Sequence, residues 1–566
     1  MMHFTLLGLV LAGSVVAKNV TYNVVTLDPT VNRMCVSIDD AVYLLSKSRA
    51  SPLLYTGQGP MGSSYKYCVV DHENRVSESE EFSRPGTIKG NSTMNEIYKR
   101  TQTVHDIPKL PTLWKYNYQD SLNPLLHPDG HIATIHFQST KNAAVALHSN
   151  VTEDVKVLGN LTFISHNDVQ FIKEAQIKLS GRSSRMWAKQ SYNIKVKGKK
   201  EDLYGLKKFK LRAEPNDPTY MREKLYYDIL RKSASVPARG TSWVRVIMDN
   251  TPIGLFLMAD QLDKHWLKAA FNGDNDDSTT GVLYMGNYVL QNSTAKKQYT
   301  SDLSYLGDDP LSYGVNDAYL LKAKSSDKEN KDFTRLAEFT KQIADSKGLS
   351  AKAWKNIMDV DVFLINMAIE FLQGHMDGYQ NNQNNYYVYD HNGKWTWLSN
   401  DVDYVMGNSI GNQTKLWTGD YTQFGDMSKR PLMKAILAVP EFRTAYEQCI
   451  TRLVNQLYNL DILGPRIDAH QAMLSEDVAW DHSLPKMINE VSNPGLEGIE
   501  KIQDYVSKLT KMDAEIDVKD YHERLHSPNL TFEQAINGVT GHSTLYGLKQ
   551  WITNKAENIK QSLHIS

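Results

Sequence analysis

The sequence is poor in cysteine, with 3 in 566 residues. Three cysteines cannot build a disulfide framework. Cys35 and Cys68 lie in one N-terminal segment and could pair, which would leave Cys449 buried. The chain also lacks a charge excess, because 63 Lys and Arg face 64 Asp and Glu. Nothing therefore indicates the broad cationic surface of a protein that binds nucleic acid, and no nucleic-acid partner is predicted.

Long hydrophobic runs are scarce as well, since no apolar stretch of 18 residues occurs after residue 17. No transmembrane helix is therefore predicted. Residues 4–17 form a short apolar segment that ends in small or branched residues, which is typical of a signal peptide, so we assign residues 1–17 to one. His3 supplies the only positive charge before that segment. The C-terminal residues 559–566 lack the pattern of a lipid-anchor signal.

Seven Asn-x-Ser/Thr sequons fit passage through a secretory pathway. They lie at Asn19, Asn91, Asn150, Asn160, Asn292, Asn412 and Asn529. Together with the signal-like segment, they predict a secreted or cell-surface glycoprotein.

Several catalytic motifs are missing from the sequence. It contains no His-Glu-x-x-His, no Cys-x-x-Cys and no Gly-x-Ser-x-Gly pattern. Their absence excludes zincins, zinc ribbons and ordinary serine hydrolases.

The length of 566 residues, with 41% hydrophobic composition, predicts two or more domains. Residues 18–88 contain short β runs separated by Gly, Pro, Ser and Asp, which predict a small β-sandwich. Residues 89–154 are interpreted as a linker and the start of the core. A strand-rich part over 155–350 and a mostly helical part over 351–566 complete the predicted α+β fold.

One strand and one helix of the strand-rich part carry candidate site residues. Residues 191–197 alternate between apolar and polar side chains, so Lys195 is predicted to point away from the apolar face. Asp217 and Pro218 predict the N-cap and first turn of a helix of about four turns. That helix carries Glu223 near its start.

The most informative segment spans residues 375–403. Two aromatic strands flank Asn392-Gly393, a pattern typical of a β-hairpin. Antiparallel pairing places the residues before the first strand beside the residues after the second, so Asp377 and Asp401 are expected to converge. Oxygen ligands of this kind suit Mg²⁺ or Mn²⁺ on nucleotide phosphates, while a separate Asp can orient an attacking hydroxyl. Simple turn formation by Asp and Asn is the alternative.

A series of short segments occurs in a fairly specific order between about residues 160 and 410. They are Ser180–Arg185 followed by Lys189, Ser191–Lys195, Phe209–Arg212, Asp217, Met221–Arg222, Gly254–Phe256, Asp377 and Asp401–Asp403. In this order the sequence resembles the CotH family of spore-coat kinase-like proteins, which includes cell-surface invasins of mucoralean fungi. The resemblance implies an atypical protein-kinase-like core that binds ATP with a divalent metal and phosphorylates hydroxyl side chains.

The resemblance also implies roles for the residues of the hairpin segment. By position, Asp377 corresponds to the catalytic-loop acid and Asp401 to the metal-binding acid, with Asp403 as its neighbour. Asn385, directly before the first aromatic strand, is the first choice for the loop metal ligand, and Asn382 is the alternative.

A strand lysine is expected to contact the nucleotide phosphates in such a core. Lys195 is the first candidate, because it lies within a strand and is followed by a helix whose Glu223 could orient it. Lys189 is the competitor. A solvated strand face without a specific partner is the alternative for both lysines.

A turn before this strand could also reach phosphate through its backbone N–H groups, and it contains Ser183 and Ser184. The family usually has Arg-Gly-Asn-Ser-Ser at this place. Here Ser180 replaces the Arg and Arg182 replaces the Asn, so the anion contact has either moved to Arg182 or been lost.

The predicted function is transfer of the ATP γ-phosphate to Ser or Thr hydroxyls of a secreted, spore-coat or wall protein. The alternative is a surface invasin or adhesin that binds a host-cell receptor and uses the kinase-like fold as a scaffold.

Overall fold

The structure is a computed structural model that describes residues 18–116, 118, 125–149, 151, 153–181, 185, 187–272, 281–287, 300–324, 332–411, 413–487, 517–526 and 530–565. The predicted signal peptide lies outside the described residues. So do Arg182, Ser183, Ser184 and the sequon residues Asn150, Asn292, Asn412 and Asn529. The other three sequon residues are exposed, and they are Asn19, Asn91 and Asn160.

The chain divides into two compact units. The first comprises the chain up to Val104 together with Thr162–Phe171 and Asn250–Pro252. The second comprises His105–Leu161, Ile172–Asp249 and Ile253–Ser566. All of the candidate catalytic and metal-binding residues named above belong to the second unit.

The first unit contains β1 (Asn19–Val25), β2 (Met34–Ile38), β3 (Ala41–Lys47), β4 (Leu54–Pro60), β5 (Ser64–Val70), β6 (Val76–Ser79), β7 (Arg84–Pro85) and β8 (Ser92–Ile97). These strands form one sheet in the order β6-β5-β2-β3-β4-β1-β8, and β7 pairs with β5. Because β8 pairs with β1, the sheet continues past the predicted boundary at residue 88. The predicted strands are present, and their packing as a sandwich stays a prediction.

A disulfide joins Cys35 on β2 to Cys68 on β5. The two residues stand directly opposite each other, with Cα atoms 4.9 Å apart, a separation that a disulfide spans readily. The suggested pairing is therefore confirmed. Cys449 is free and half-buried, where full burial was expected.

Seven further strands close on themselves into a second sheet. They are β9 (Ala133–Gln138), β10 (Lys156–Ile164), β11 (Val169–Ser180), β12 (Ser191–Val196), β13 (Lys208–Arg212), β14 (Thr241–Met248) and β15 (Thr251–Asp260). They pair in the closed order β10-β11-β12-β13-β15-β14-β9. On β12, Tyr192, Ile194 and Val196 are buried and Lys195 is exposed, so the predicted alternation is confirmed.

A third sheet contains β16 (Val282–Gly286), β17 (Tyr319–Ala323), β18 (Tyr386–His391) and β19 (Lys394–Ser399), in the order β17-β16-β18-β19. The pair β18 and β19 is the predicted hairpin, with Tyr386 opposite Ser399. Asn392 and Gly393 form its turn with φ of 54° and 81°, which matches the left-handed backbone that a two-residue hairpin turn requires.

Helices make up much of the remaining chain. They are α1 (Ala143–His148), α2 (Arg222–Asp228), α3 (Lys264–Asn272), α4 (Thr334–Ala344), α5 (Ala351–Ile357), α6 (Val360–Leu372), α7 (Tyr379–Asn382), α8 (Pro431–Leu437), α9 (Pro440–Gln456), α10 (Leu460–Ser483), α11 (Val518–His526), α12 (Phe532–Asn537) and α13 (Leu548–Ser562). Within the described ranges, no helix combines the length and the apolar character needed to cross a membrane. The mixture of sheets and helices confirms the predicted α+β class.

The helix that carries Glu223 is shorter than predicted. Tyr220 has a left-handed backbone with φ of 56°, so the chain turns just before the helix begins. The 7 residues of α2 and the 5 of the π-helical turn after it give about three turns, where four were expected. Asp217 lies before the helix, and its carboxylate accepts a hydrogen bond from the backbone N–H of Arg222 at 2.9 Å.

The core of the second unit centres on α6, where every residue from Val362 to Leu372 is buried. The hairpin packs on this helix, and the ring of Trp397 lies 5.2 Å from that of Phe363. The ring of Trp395 stacks on Phe339 of α4 at 4.4 Å. The hairpin is therefore fixed on a rigid helical base.

Candidate functional site

The loop after α6, residues 373–385, surrounds Asp377 with amides. Asn385 donates its side-chain N–H to Asp377 Oδ2 at 2.7 Å and to the Asp377 carbonyl oxygen at 3.0 Å. Asn384 donates to Oδ2 at 3.3 Å, and Asn382 donates to Oδ1. Three neutral donors thus fix the carboxylate in place without cancelling its charge.

Two buried side chains hold this loop, Arg430 directly before α8 and Glu370 on α6. The guanidinium of Arg430 donates to the carbonyl oxygens of Tyr379 at 2.6 Å and Asn381 at 2.7 Å. Glu370 on α6 accepts the backbone N–H of Gln380 at 2.6 Å. The loop that carries Asp377 is therefore positioned by the helical core.

The Asp377 carboxyl is a weak acid for an aspartate. Burial raises its pKa to about 7, and the negative charges of Asp403 and Asp401 act in the same direction. Hydrogen bonds from Asn382 and Asn384 oppose this rise without cancelling it. A carboxyl that titrates near neutral pH is suited to accept a proton from a hydroxyl group.

The hairpin brings Asp401 to the same place. The backbone N–H of Asn400 donates to the carbonyl oxygen of Asn385 at 2.9 Å, which extends the ladder by one step beyond Ser399. Asn385 and Asp401 both have left-handed backbone, with φ of 57° and 45°. Such conformations cost a non-glycine residue on the order of 1–3 kcal/mol and concentrate at functional sites.

A single guanidinium joins the hairpin end to the closed sheet. Arg212, the last residue of β13, donates from Nε to Glu214 at 3.1 Å and also contacts Glu223. Its Nη1 pairs with Asp401, and its Nη2 lies 3.5 Å from Asp403. Arg212 and these four carboxylates are called the Arg212 cluster below.

The Arg212 cluster holds more acid than one guanidinium can neutralise. Burial raises the pKa of Glu223 well above its usual range and that of Glu214 to about 6. Burial and the charge of Asp401 raise the pKa of Asp403. Burial would also raise the pKa of Asp401, but Arg212 outweighs it and holds that pKa below the usual range. This excess of acid, part of it buried in Glu214 and Glu223, favours a bound cation.

The residues predicted to bind metal offer the oxygen ligands that Mg²⁺ and Mn²⁺ prefer. The side chains of Asp401 and Asp403 are 38% and 23% exposed, so both are accessible. Asn382 and Asn385 direct their amide nitrogens at Asp377, which leaves their amide oxygens for a cation. Among the described residues, no three His, Cys, Asp or Glu side chains are grouped to hold a metal ion. The donor set fits a cation only if amide and phosphate oxygens complete it.

Lys195, the first candidate for phosphate binding, lies apart from the Arg212 cluster. It is exposed on β12, directly opposite Lys208. Arg212 is four residues further along β13, a distance of about 13 Å at the usual rise of a strand. Glu223, which was predicted to orient Lys195, contacts Arg212.

Lys189, the competing candidate, is occupied by a carboxylate. Its ammonium donates to both oxygens of Asp481 on α10, at 2.7 and 2.8 Å, and lies 4.5 Å from the ring centre of Phe256. A Cβ at Gly254 would lie 1.9 Å from the same carboxylate, so only glycine permits this approach. The phosphate-binding roles of Lys189 and Lys195 stay predictions.

Sequence patterns assigned no role to Arg212 or to Lys210. Both residues lie in the segment 208–212, where Phe209 and Leu211 are buried. Period-2 alternation places Lys210 and Arg212 on the opposite face. That alternation is the signal that could have identified a basic strand face beside the acids.

The fold and the site together define a mixed α+β protein whose distinctive chemistry is a loop aspartate beside a buried, acid-rich cluster. The family model described as CotH kinase protein matches residues 177–511, which is more than half of the chain. The chain belongs to this family. The match begins after the predicted start near residue 160 and continues well past the predicted end near 410.

The chain is similar to several proteins of Rhizopus delemar. Invasin CotH2 is 27% identical over 489 residues, which cover 83% of this chain and 75% of the relative. Invasin CotH7 is 28% identical over 505 residues, with 86% and 78% covered. Spore coat protein homolog 1 is 27% identical over 485 residues, with 83% and 74% covered.

Proposed function

We propose that the protein is a secreted or cell-surface phosphotransferase. It would transfer the γ-phosphate of ATP to Ser or Thr hydroxyls of a secreted, spore-coat or wall protein, with Mg²⁺ or Mn²⁺ as the metal. The observation that carries the proposal is that Asp377 lies beside the carboxylates Asp401 and Asp403. Phosphoryl transfer uses this division of labour, in which one acid orients the hydroxyl and others hold the metal on the phosphates.

Asp377 is the residue that would accept the proton of the acceptor hydroxyl. Its amide neighbours Asn382, Asn384 and Asn385 hold the carboxylate in one orientation before the substrate arrives. Preorganisation of this kind lowers the entropic part of the barrier. Arg430 acts behind them as a positioning residue, because it fixes the loop carbonyls.

Asp401 and Asp403 would hold the divalent cation together with an amide oxygen of Asn385 or Asn382. The metal, when bound, would neutralise charge on the phosphoryl group that is transferred. Arg212 keeps Asp401 ionised and oriented through the ion pair with its Nη1. Membership of the family described as CotH kinase protein supports this assignment.

The test is transfer of labelled phosphate from ATP to the protein itself and to a generic acceptor, with Mg²⁺, with Mn²⁺ and with a chelator. Asp377→Asn is expected to lower transfer about 100-fold or more, as loss of a catalytic base does. Asp401→Asn should lower it strongly as well, because it removes a proposed ligand of the metal. Asp308→Asn removes an exposed carboxylate elsewhere and should transfer like the wild type. Undiminished transfer by Asp401→Asn would refute the assignment.

A second candidate function is adhesion, and the names of two relatives, Invasin CotH2 and Invasin CotH7, favour it. In that case the protein would bind a receptor on a host-cell surface, and the site would serve as part of a scaffold. The test compares binding of the wild type and of Asp377→Asn to host-type cells. Equal binding without any detectable binding of ATP would favour adhesion over phosphoryl transfer.

A further inference from the structure

Arg524 on α11 is a buried arginine, 4% exposed, that holds several distant parts of the chain at once. Its Nη1 donates to the backbone carbonyl oxygen of Asn216 at 2.9 Å. Its Nη2 donates to the side-chain oxygen of Asn408 at 2.6 Å and to the carbonyl oxygen of Ser409 at 3.0 Å, and its Nε donates to the hydroxyl of Thr544 at 2.9 Å. The rigid, planar fork of a guanidinium is what allows one side chain to make all these contacts.

Two of these partners contact Asp403, a residue proposed to hold the metal. The side-chain N–H of Asn216 donates to Asp403 Oδ2 at 3.2 Å. The side-chain N–H of Asn408 donates to the carbonyl oxygen of Asp403 at 2.8 Å. One bond thus orients the carboxylate and the other fixes the backbone that carries it. Arg524 reaches Asp403 through one intervening residue by two separate routes.

The helix α11 contacts the segment of Asp403 at a further point. The hydroxyl of Tyr521 lies 2.7 Å from that of Tyr404, the residue directly after Asp403. Tyr521 is buried, and its ring centre lies 4.7 Å from the guanidinium of Arg524. The guanidinium and the hydroxyl therefore act together to seat α11 against the end of the hairpin segment.

This arrangement is the one that supports a metal ligand from outside. Carboxylates that bind a metal are themselves held by hydrogen bonds, and loss of such an outer partner typically weakens metal binding about 10- to 100-fold. Arg524 lies past residue 511, where the match to the family model ends. The fold brings it to the site across 308 residues from Asn216 and 116 from Asn408.

We propose that Arg524 is a positioning residue, which holds Asp403 through Asn216 and Asn408 in the orientation used to bind the divalent cation. The inference rests on the proposed function, because it takes Asp403 as a ligand of the metal. It adds α11, which lies outside the family match, to the elements that build the site.

The test is titration calorimetry of the full chain with Mn²⁺ in the presence of a non-hydrolysable ATP analogue. Arg524→Lys keeps the charge, but one ammonium cannot replace the fork, so the affinity for Mn²⁺ should fall about tenfold or more. Asn216→Ala removes the donation to Asp403 and keeps the backbone carbonyl that Arg524 uses, and it should weaken Mn²⁺ as well. Unchanged affinity in both variants would overturn the inference.

The matched control is Arg245→Lys, at a buried arginine that pairs with Asp477 on α10. It should lower the stability of the protein and leave the affinity for Mn²⁺ unchanged. A tenfold loss in this variant too would mean that Mn²⁺ affinity follows stability alone, which would overturn the inference.

A double variant separates positioning of Asp403 from a general structural effect. If Arg524 acts through Asp403, then Arg524→Lys combined with Asp403→Asn should bind Mn²⁺ about as weakly as Asp403→Asn alone. Losses that add in full would show that Arg524 acts by another route and would overturn the inference.

Hydrogen exchange with a chelator present tests the positioning without metal. The backbone N–H of Ser409 donates to the carbonyl oxygen of Thr544 at 3.0 Å, and Arg524 bonds to both residues. This amide should exchange faster in Arg524→Lys than in the wild type, relative to the amides of α6. An unchanged rate would contradict the positioning.

The outcomes separate this inference from the proposed function. If Asp403→Asn weakens Mn²⁺ and Arg524→Lys does not, the inference is overturned and the proposed metal site stands. If the wild type binds no Mn²⁺ beside the analogue, yet the Ser409 amide exchanges faster in Arg524→Lys, the positioning stands and the proposed function fails.

Discussion

Two charged clusters share one helix, α2, and differ in their balance of charge. The Arg212 cluster places four carboxylates on a single guanidinium. The second, called the Arg466 cluster below, contains the cations Lys224, Lys232 and Arg466 and the acids Asp129 and Asp228. In the first cluster acids outnumber cations, and in the second cations outnumber acids.

Most acids of the two clusters shift in pKa in opposite directions, and Asp401, whose pKa Arg212 holds below the usual range, is the exception in the Arg212 cluster. In the Arg466 cluster, burial alone would raise the pKa of both acids. Lys224 and the other cations of the cluster outweigh burial and hold the pKa of Asp129 and of Asp228 below the usual range. In the Arg212 cluster, burial prevails and raises the pKa of Glu214, Glu223 and Asp403. The acids of the Arg466 cluster are therefore neutralised by the protein's own cations. The Arg212 cluster has acid left over, which favours binding of a cation from solution.

The two clusters meet on α2, because Glu223 and Lys224 are consecutive residues. Within this helix Lys224 pairs with Asp228 at 2.5 Å, and Arg466 on α10 reaches the same carboxylate at 2.5 Å, which ties the two helices together. The neighbouring residue, Glu223, contacts Arg212 of the Arg212 cluster. The helix is thus anchored by a cluster whose acids are all paired with cations, while it presents Glu223 to the cluster with excess acid.

The largest loss of stability is expected when Asp228, an acid of the Arg466 cluster, is replaced. Asp228→Asn leaves the buried Lys224 and Arg466 with Asp129 as their one shared carboxylate in the cluster. The free energy of unfolding should fall by about 3–5 kcal/mol, as it does when one partner of a buried ion pair is lost. Urea unfolding at pH 7 measures it.

The matched control is an ion pair on the surface. Asp468, whose side chain is 58% exposed, pairs with Lys549. Asp468→Asn should change the free energy of unfolding by less than about 1 kcal/mol, because exposed pairs contribute little. Equal losses in the two variants would show that burial does not distinguish them.

A smaller effect is expected when metal binds the Arg212 cluster. At a concentration about 100-fold above its dissociation constant, Mg²⁺ or Mn²⁺ should stabilise the wild type by about 2.7 kcal/mol. Asp401→Asn should lose most of this stabilisation, whereas Asp308→Asn, which removes an exposed carboxylate, should keep it. Thermal unfolding with metal and with a chelator measures both. Full stabilisation of Asp401→Asn by metal would contradict the assignment of Asp401.

Glu370, a buried acid outside both clusters, sharpens the comparison because its own helix, α6, supplies no cation. Burial raises its pKa to about 7 from an ordinary value of 4.5. The folded protein therefore holds this proton more tightly than the unfolded chain does. The stability that Glu370 provides is complete below about pH 4.5 and is lost as the pH rises through 7.

Glu370→Gln removes this pH dependence. Glutamine cannot ionise, and its side-chain oxygen can still accept the N–H of Gln380. The variant should gain about 1–3 kcal/mol over the wild type between pH 5 and pH 8, measured by urea unfolding. Asp361→Asn, at a half-exposed position of the same helix, should show no such trend. A difference that is independent of pH would contradict the buried, protonated state of Glu370.

Local patterns predicted much of the framework of the site. The Asn392-Gly393 pair predicted the hairpin turn, and antiparallel pairing then placed Asp377 near Asp401. Alternation along β12 predicted the exposed face of Lys195. These features depend on neighbours in sequence, which is why a single sequence contains them.

The ion pairs of the site could not be predicted in the same way. Arg212 meets Asp401 across 189 residues, and Lys189 meets Asp481 across 292. Alternation tells which face a strand residue occupies but not how far along the sheet it lies, so Lys195 and Lys210 look alike in sequence. Only the register of β12 against β13 separates them.

The smallest expected effect comes from neutralising an acid in the unbalanced cluster. Asp403→Asn, measured with a chelator present, removes a charge that Asp401 repels, and the new amide oxygen can still accept the N–H of Asn216. The free energy of unfolding should stay within about 1 kcal/mol of the wild type, or rise slightly, because relief of repulsion offsets a weaker contact with Arg212. A loss of stability as large as that of Asp228→Asn would mean that the acids of the Arg212 cluster are neutralised as fully as those of the Arg466 cluster and need no external cation.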